Sequence, residues 1–418
     1  MKERSVAIIG LGYVGLPLAL LCSKNGHKTY GIDVDNNKIE SIKKGINPIE
    51  NSKMEYTVIP SDYDVIKDCD VVLVCVPTPV NEDNTPNLSL LVSCANSIKK
   101  WIKKGQLIVI ESSVNPGAID DNIKPILGGS LKVGKDFYLA HCPERIDPGN
   151  DKWDTENIPR VLGACSTRGL KEASEFYKSI INAEIKEMSS IKSAEAVKMI
   201  ENSFRDVNIG FANEIAKMFD KVGLDAKEII EGAATKPFGF MPHYPSCGVG
   251  GHCIPVDPYY LIRKSEDSGY EPKLLKLVRE LNDSMPKYCI GLFKEELKKM
   301  GKDIDGAKVG ILGLSYKANV GDLRNSPALE IIELLKEGKA VIEVFDSYAK
   351  EKSTSDSINE ILDKSDYLII TVDHDEFKLV SPELLEKNNI KVLIDGKNMF
   401  NKDKIKEKGI LYRGIGSK

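Results

Sequence analysis

The chain has 418 residues, of which 42% are hydrophobic and 29% charged. These values are typical of a globular protein with ample core material, and the length indicates two or three domains. Because 62 Asp and Glu residues face 58 Lys and Arg residues, for a formal net charge of −4, the composition argues against a nucleic-acid-binding protein with a chain-wide basic surface.

The first feature along the chain is an apolar run from Ser5 to Cys22, which follows Lys2 and Arg4. It is superficially like a signal peptide or a membrane anchor, but glycines and a proline interrupt it and no small-residue cleavage site follows. No other stretch approaches the ~20 apolar residues that are needed to span a bilayer. We therefore expect a cytoplasmic protein that makes no membrane contact.

The N-terminal part of the chain predicts an α/β domain with a parallel sheet. Apolar runs that predict strands lie at residues 5–10, 28–33, 70–76, 106–111 and 137–140, and residues 17–24 predict a helix. Strands that alternate with helices are typical of a sheet that is covered by helices on both faces. We expect this unit to end near residue 190.

The first predicted strand leads into a dinucleotide-binding turn. Gly10, Gly12 and Gly15 match GxGxxG between a strand and a helix, and Asp33 ends the second strand. Gly10 would make the tight turn, Gly12 would let the backbone approach a pyrophosphate at the helix N-terminus, and Gly15 would let the helix pack on the strand. Asp33 would bind the ribose hydroxyls and disfavour a 2′-phosphate, which predicts NAD rather than NADP. A glycine turn without a ligand is the alternative.

The nine cysteines are scattered along the chain, and no CxxC pair occurs. The sequence therefore predicts neither a disulfide framework nor a metal site. Most of the cysteines are expected to be small buried hydrophobic residues.

A polar segment, HCPERIDPG, follows the strand predicted at 137–140 and runs from His141 to Gly149. Ligands bind at the carboxyl edge of doubly wound sheets, where this segment should lie. Glu144 is a candidate general base, and Arg145 is a candidate anion contact.

The middle of the chain shows helical periodicity without strand signals. Its apolar residues at helical spacing are Ala194, Val197, Ile200, Phe204, Val207, Phe211 and Ile215. We predict one long helix from 190 to about 235, a loop over 236–258 and a further helical stretch from 273 to about 300.

A polar stripe on the long predicted helix consists of Lys198, Asn202 and Arg205, at positions i, i+4 and i+7. Such a face is often simply solvated. The functional alternative is a convergent set of donors for a substrate that is rich in oxygen.

The loop between the two helical regions contains the run Gly250, Gly251, His252 and Cys253. Two glycines let the backbone come close to a substrate, and a cysteine on such a loop, four residues before Asp257, is a candidate nucleophile. A buried loop thiol without reactivity is the alternative.

After residue 306 the α/β pattern begins again. Predicted strands lie at 308–313, 340–346, 366–372 and 391–395, and we take the last of these as the final strand. The C-terminal third thus resembles a degenerate second copy of the first domain. We predict two Rossmann-like doubly wound α/β domains, residues 1–190 and 301–418, joined by a central long helix and a helical dimerisation domain, residues 191–300.

The second glycine turn, from Gly310 to Lys317, lacks the GxGxxG spacing and should not hold a second NAD. Lys317 and Arg324 are candidate contacts for phosphate groups. An empty evolutionary duplicate is the alternative.

Taken together, these motifs resemble the nucleotide-sugar 6-dehydrogenases, the family of UDP-glucose and UDP-N-acetylhexosamine dehydrogenases. The motifs that carry the resemblance are GLGYVG at 10–15, CVPTP at 75–79, PER at 143–145, AEAVKMIEN at 194–202, GVGGHC at 248–253, GLSYK at 313–317 and DLRNSP at 322–327. The resemblance implies an N-terminal NAD domain, a central helical dimerisation domain and a C-terminal UDP domain. It also implies oxidation of a sugar C6 alcohol to a carboxylate with two NAD, through a cysteine thiohemiacetal and a thioester.

The resemblance also implies roles for individual residues. Cys253 would be the nucleophile, Lys198 would stabilise oxyanions and move protons with support from Asn202, Asp257 would position water, and Glu144 would act in proton transfer and thioester hydrolysis. The implied cofactor contacts are Tyr13, Val14, Asp33, Thr78, Ser113 and Arg324. The implied substrate contacts are Arg145, Ile146, Gly250, Tyr316 and Lys317.

Three departures from the family pattern bear on the substrate. Ser113 replaces a usual Thr, and residues 235–242, TKPFGFMP, lack the arginine of many members. Arg205 takes a position that is apolar in UDP-glucose enzymes, and in UDP-N-acetylhexosamine enzymes the residue there faces the sugar. The resemblance therefore favours UDP-N-acetylglucosamine, with UDP-N-acetylmannosamine and then UDP-glucose as alternatives. The uronate would be a precursor for surface polysaccharide or glycan synthesis.

Two other function classes remain open from the sequence. A one-step NAD dehydrogenase for a hydroxy acid would need no thiol and would not explain a second nucleotide-type domain. A nucleotide-sugar sensor would bind without reacting, although it would have no need for both Lys198 and Cys253. We expect a homodimer or a higher homo-oligomer.

Overall fold

The computed structural model describes residues 3–81, 83–146, 150 and 152–418. The chain forms two compact units. The first unit comprises Met1–Glu201 and Tyr259–Tyr270, and the second comprises Asn202–Pro258 and Glu271–Lys418.

The first unit is built on a large, mostly parallel sheet. Its strands are β1 (Ser5–Ile9), β2 (Lys28–Ile32), β3 (Ile46–Asn47), β4 (Ser52–Lys53), β5 (Ile59–Pro60), β6 (Val71–Val74), β7 (Leu107–Ile110), β8 (Tyr138–His141), β9 (Arg160–Ala164) and β10 (Ile185–Glu187). The order in the main sheet is β10-β9-β8-β7-β6-β1-β2-β5, whereas β3 and β4 form a separate antiparallel ribbon. The five predicted strands are confirmed as β1, β2, β6, β7 and β8. The antiparallel pairing of β9 with β8 was not predicted.

Helices cover both faces of this sheet. They are α1 (Gly15–Lys24), α2 (Asn36–Lys43), α3 (Ser89–Lys99), α4 (Lys124–Leu127) and α5 (Thr167–Lys178). Val6 and Ile8 of β1 belong to a core that contains residues of α1 and α5, while Ala7 and Ile9 belong to another that contains residues of α3. Both faces of the strand are therefore buried, which explains why it is continuously apolar and confirms the doubly wound arrangement.

The apolar run at the N-terminus folds as β1, a glycine turn and α1. In the described ranges of the chain, no helix is both long and apolar enough to cross a membrane.

The central helices break where the sequence periodicity predicts continuity. They are α6 (Ile191–Val222), α7 (Ala226–Ala234), α8 (Asp257–Asp267), α9 (Lys273–Asp283) and α10 (Met285–Lys299). The predicted helix over 190–235 is wrong beyond Val222, because Gly223 adopts a φ of 84° and Asp225 caps α7 by accepting backbone N–H groups. The predicted helix over 273–300 is two helices, since Pro286 has no N–H to continue the ladder past Ser284.

The second unit contains an all-parallel sheet. Its strands are β11 (Lys308–Leu312), β12 (Val341–Phe345), β13 (Tyr367–Ile370), β14 (Val392–Asp395) and β15 (Leu411–Gly414), and its helices beyond α10 are α11 (Pro327–Glu337), α12 (Ile358–Lys364), α13 (Pro382–Lys387) and α14 (Lys402–Glu407). The strand order is β12-β11-β13-β14-β15. The prediction that 391–395 is the final strand is wrong. β15 carries a charged residue, Arg413, which is buried against Asp220 at 3.1 Å and so hides the strand pattern.

Candidate active site

The glycine turn of the first unit has the geometry that the motif predicts. Gly10 adopts a φ of +90°, and a Cβ on it would lie 2.7 Å from the Cys75 carbonyl oxygen. A Cβ on Gly15 would lie 1.8 Å from the Gly10 carbonyl oxygen, so both positions require glycine. A Cβ on Gly12 would meet no atom of the described residues within 4 Å, which leaves that approach open. In the same turn Tyr13 is exposed and Val14 immediately precedes α1.

Asp33 lies at the carboxyl end of β2 and is held by the turn. One carboxylate oxygen, Oδ2, accepts the Leu11 N–H at 2.7 Å, and Oδ1 accepts the Asp35 N–H at 2.9 Å. The Lys38 ammonium lies 3.6 Å from Oδ2. The carboxylate is thus fixed next to the helix N-terminus where the motif predicts an adenosine ribose.

Two loops at the carboxyl edge of this sheet are tied together. The Thr78 hydroxyl donates to the Ser113 carbonyl at 2.6 Å, and the Ser112 hydroxyl donates to the Val76 carbonyl at 2.7 Å. The Tyr260 hydroxyl donates to the Thr78 carbonyl at 2.8 Å. Ser112 and Tyr260 were missed by sequence reasoning, because their contacts reach 36 and 182 residues along the chain.

The candidate residues after β8 have strong partners within the first unit. Glu144 is buried, and its Oε2 accepts from Arg160 Nη1 at 2.6 Å while its Oε1 accepts the N–H groups of Arg145 and Ile146 at 2.7 and 2.8 Å. Arg145 donates to both carboxylate oxygens of Glu201, at 2.5 and 3.2 Å. The remainder of the predicted segment, residues 147–149, lies outside the described residues.

Helix α6 places two ionisable residues in buried positions. Glu195 accepts the N–H groups of Gly117 at 2.5 Å and Ile119 at 2.9 Å, and burial raises the pKa of its carboxyl to about 7. Lys198 is only 9% exposed, and its ammonium makes no hydrogen bond or ion pair with any described residue of the first unit. A buried cation without a counter-ion is costly and marks a candidate functional group. Sequence reasoning missed Glu195, although it stands in the AEAVKMIEN motif.

Cys253 lies in the second unit on a turn just before α8. Its carbonyl accepts the N–H groups of Val256 and Asp257 at 3.1 and 2.8 Å, and its Sγ lies 3.0 Å from His252 Nδ1. The thiol is half-buried. Cys253 thus lies just before the N-terminus of α8, where the positive end of the helix dipole favours a negative charge.

Asp257 and Asn202, which the sequence places 55 residues apart, are in direct contact. The Asn202 side-chain amide donates to Asp257 Oδ2 at 2.5 Å, and both side chains are buried. The structure therefore joins Asn202, the middle residue of the predicted polar stripe, to the residue that follows the cysteine loop within one unit.

The cysteine loop also docks on the segment that follows β11. The Gly251 N–H donates to the Arg324 carbonyl at 2.9 Å, and the Asn325 amide donates to the Gly251 carbonyl at 3.0 Å. A Cβ on Gly250 would lie 2.5 Å from the Tyr316 Cβ, so glycine is required for this close packing. Lys317, next to Tyr316, is half-buried.

Arg324 forms an ion pair beside this loop. Its guanidinium donates to both oxygens of Asp322, at 2.5 to 3.1 Å. Burial by itself acts to raise the pKa of Asp322, but the hydrogen bonds from Arg324 lower it. The hydrogen bond to Asp322 raises the pKa of Arg324, and the nearby Tyr316 and Cys253 act in the same direction. A cation this close to a thiol favours the thiolate.

The second glycine turn has the same backbone geometry and the same type of carboxylate contact as the first, but its carboxylate is buried. Gly313 has a φ of +98°, and Asp346 Oδ2 accepts the Leu314 N–H at 2.7 Å, as Asp33 does for Leu11. Asp346 is fully buried, and the His374 Nε2 lies 3.2 Å from the same oxygen. Its carboxylate is therefore unavailable to a ribose, in keeping with the prediction that this turn holds no second NAD.

Arg205 is exposed, and the neighbouring carboxylate does not neutralise it. Asp206 is buried and accepts from Arg279 at 2.5 Å and from Asn282 at 2.8 Å. The exposed guanidinium of Arg205 is therefore not the partner of Asp206.

Comparison with known proteins shows the same three-part match that the motifs indicated. The UDP-glucose/GDP-mannose dehydrogenase family matches through its NAD binding domain at residues 4–181, its central domain at 192–284 and its UDP binding domain at 310–402.

Full-length relatives agree with this match. A UDP-N-acetyl-D-glucosamine 6-dehydrogenase from Pseudomonas aeruginosa is 36% identical and covers 97% of this chain and 99% of its own. A UDP-N-acetyl-D-mannosamine dehydrogenase from Pyrococcus horikoshii is 34% identical over 98% and 99% of the two chains. A solved structure described as a UDP-D-ManNAc dehydrogenase from Pyrococcus horikoshii superposes with a TM-score of 0.90 at 33% identity, covering 99% of each chain.

Proposed function

Because the chain belongs to the UDP-glucose/GDP-mannose dehydrogenase family and is an NAD-dependent dehydrogenase, we propose that it oxidises the C6 alcohol of a UDP-N-acetylhexosamine to the carboxylate. Each of two NAD molecules takes one hydride, and the second carboxylate oxygen comes from water. The product is a UDP-N-acetylhexosaminuronate, a precursor for surface polysaccharide or glycan synthesis.

The observation that carries this proposal is the setting of Cys253. Its thiol lies before a helix N-terminus and near Arg324, on a loop packed against the Tyr316 segment. An aldehyde cannot lose a second hydride until a nucleophile adds to its carbonyl carbon. Thiol addition gives a thiohemiacetal, loss of hydride to NAD gives a thioester, and water then releases the acid and regenerates the thiol.

The remaining candidate catalytic residues have separate roles in this proposal. Lys198 stabilises the oxyanions and moves protons, and the Asn202–Asp257 pair supports it and positions water. Glu144 takes part in proton transfer and thioester hydrolysis. In this proposal residues 1–190 bind NAD, residues 191–300 carry the cysteine loop, and residues 301–418 bind UDP.

Each ligand has its own set of contact residues, and neither set is confined to one of these ranges. NAD is bound by Gly10, Gly12, Tyr13, Val14, Gly15, Asp33, Thr78, Ser113 and Arg324. The UDP-sugar is bound by Arg145, Ile146, Arg205, Gly250, Tyr316 and Lys317. The fixed carboxylate of Asp33 favours NAD over NADP, because a 2′-phosphate beside it would meet a like charge.

The sugar that we favour is UDP-N-acetylglucosamine, with UDP-N-acetylmannosamine as the second candidate and UDP-glucose as the third. Relatives of both N-acetylated kinds are similar to this chain, so the choice rests on the TKPFGFMP segment and Arg205. The experiment is a panel of these UDP-sugars with NAD, in which NADH is counted per sugar consumed. Two NADH per sugar support the proposal, one NADH indicates a one-step dehydrogenase, and binding without NADH indicates a sensor.

Substitution of Arg205 by leucine is expected to narrow the preference for N-acetylated sugars. If the guanidinium binds the acetamide carbonyl or orders the groups that do, its loss leaves that carbonyl unsatisfied at a cost of about 1–3 kcal/mol, or roughly ten- to a hundredfold in kcat/KM. UDP-glucose has no acetamide and should lose little. Steady-state kinetics with UDP-N-acetylglucosamine and UDP-glucose measure the difference.

Lys294→Leu is a suitable control for the Arg205 experiment, since it removes an exposed cation of α10 in the same unit. It should leave the ratio of the two sugars unchanged. An equal loss for both sugars in Arg205→Leu would show that the arginine serves general binding or structure.

We further propose that the enzyme is a homodimer or a higher homo-oligomer whose subunits meet at α6. An exposed apolar stripe runs along this helix in the second unit; its members are Phe204, Phe211, Met218 and Val222. The neighbouring helix α9, which is joined to α6 by the Asp206–Arg279 ion pair, exposes Leu274 and Leu277. A continuous apolar face of this kind is typical of a subunit interface.

Phe211→Glu is expected to yield monomers, because it places a charge in the middle of that face. Burying an unpaired carboxylate costs several kcal/mol, which corresponds to about a hundredfold or more in the dissociation constant. Sedimentation velocity measures the mass, with Lys336→Glu, at an exposed position of α11, as the control. An unchanged oligomer in Phe211→Glu would place the interface elsewhere.

A further inference from the structure

A buried charge cluster lies behind the glycine turn of the first unit. It contains one cation, Arg160, between two carboxylates, Glu111 and Glu144. Arg160 is 0% exposed, Glu111 1% and Glu144 5%. Arg160 Nη1 lies 2.6 Å from Glu144 Oε2 and 3.7 Å from Glu111 Oε2. The guanidinium is therefore bound to Glu144 and only near Glu111.

The two carboxylates are satisfied to different extents. Glu144 has partners for both oxygens, since Oε1 accepts two backbone N–H groups. Glu111 Oε1 accepts from the Tyr177 hydroxyl, but its Oε2 has no hydrogen-bond partner among the described residues. Backbone N–H groups and a guanidinium stabilise an ionised carboxylate, whereas a buried oxygen without a donor suits a neutral carboxyl group.

Among the described residues whose charge acts on Glu111, Arg160 is the single cation. The titratable groups that act on it or feel its charge are Arg160, Glu144, Tyr177 and the thiols of Cys22, Cys75 and Cys142. One buried guanidinium can neutralise one carboxylate, and a second buried negative charge would remain uncompensated. Burial raises the pKa of Glu111 to about 8 and Glu144 acts in the same direction, in agreement with the geometry.

On the basis of the proposed function, we propose that Arg160 and Glu111 are positioning residues for Glu144. Arg160 holds the Glu144 carboxylate in one orientation, and Glu111 stays neutral so that Glu144 does not have to share the guanidinium. The cluster reaches from β7 to the segment after β8, so it also fixes the Arg145 and Ile146 backbone that Glu144 caps. Neither residue needs to touch the substrate.

The decisive variant is Glu111→Gln, which keeps the shape and mimics the neutral state. Its kcat should match the unaltered enzyme at pH 7, whereas above pH 8 the ionised Glu111 of the unaltered enzyme competes for Arg160. The ratio of the two kcat values, variant over unaltered enzyme, should therefore rise by about threefold or more between pH 7 and pH 9.5. Because both kcat values are measured at the same pH, the ratio cancels pH effects that the substitution leaves unchanged. Exposed Glu187→Gln is the matched control and should give a flat ratio.

Arg160→Lys tests the positioning of Glu144. A lysine keeps the charge but cannot bind Glu144 and the Thr155 carbonyl together, as the guanidinium does at 2.6 and 3.2 Å. We expect kcat to fall by about ten- to a hundredfold with the KM for NAD changed by less than about twofold. Because hydride transfer precedes hydrolysis, rapid mixing should show a burst of two NADH per active site before slow turnover. A general folding defect would instead lower the burst amplitude and the steady-state rate by the same factor, because fewer active sites would be present.

Thermal melting without substrate tests this inference independently of the proposed function. Glu111 is protonated when folded and ionises near its ordinary pKa when unfolded, so its contribution to stability is full at low pH and is lost as the pH rises toward 8. The difference in melting temperature, Glu111→Gln minus unaltered protein, should therefore increase as the pH rises toward 8. A flat difference, a flat kcat ratio, or a loss at pH 7 as large as that of Arg160→Lys would overturn the inference. A protein inactive on every UDP-sugar would overturn the proposed function alone.

Discussion

Cys253→Ser is expected to abolish uronate formation. A serine hydroxyl keeps the shape of the side chain but is not ionised near neutral pH, even before a helix N-terminus and near Arg324, so it adds poorly to the aldehyde. The loss should be about three orders of magnitude or more in the rate of acid formation, equivalent to roughly 4 kcal/mol in the barrier. The measurement is uronate by mass spectrometry together with NADH by absorbance.

The pattern of loss separates the two oxidations. The first hydride transfer needs no thiol, so a trace of NADH and of sugar aldehyde should remain in Cys253→Ser. The matched control is Cys165→Ser, which changes another half-buried thiol, in the first unit. Normal uronate production with two NADH per sugar in Cys253→Ser would remove this cysteine from the mechanism.

Lys198→Met is expected to slow turnover by about two to three orders of magnitude, with no loss of stability. Lys198 is 9% exposed as a residue, and in such a buried setting a positive charge stabilises a developing oxyanion far more than it would in water. Removal of one such group costs about 2.7–4 kcal/mol in the barrier. Methionine fills similar volume without a charge, and because no carboxylate of the first unit pairs with Lys198, the folded state should be as stable or more stable.

Two measurements define the result for Lys198. Single-turnover kinetics report the hydride transfers, and thermal melting reports stability. Lys192→Met, an exposed position on the same helix, is the control and should change neither. A variant with a large drop in melting temperature and a proportionate loss of activity would show that Lys198 is structural.

Local sequence patterns predicted the parts of this protein that depend on neighbouring residues. The GxGxxG turn, the strands that carry it and the acid at Asp33 all follow from short-range rules, because a left-handed glycine and a buried parallel strand each impose composition on a few adjacent residues. The cysteine loop was found in the same way, through Gly250, Gly251 and Cys253. The match to three domains of one family confirms the resemblance that these runs indicated.

Helix ends were predicted less well, because the spacing of apolar residues does not show where the backbone hydrogen bonds of a helix end. The break between α6 and α7 depends on Gly223 and the Asp225 cap, and the break between α9 and α10 on Pro286. Both signals are present in the sequence, but the apolar residues keep their helical spacing on both sides of each break. Strand β15 escaped prediction for another reason, because Arg413 is buried by a pairing with Asp220, 193 residues away.

What the sequence by itself determined was therefore the fold class, the dinucleotide turn and the set of residue types available for chemistry. What only the tertiary structure decided was which of those residues meet within each unit: Asn202 with Asp257, the Gly251 backbone with Arg324, and Glu144 with the Arg160 guanidinium. The physical reason is that these contacts join residues from 16 to 73 positions apart, and the burial that makes them strong exists only after the helices and sheets have packed.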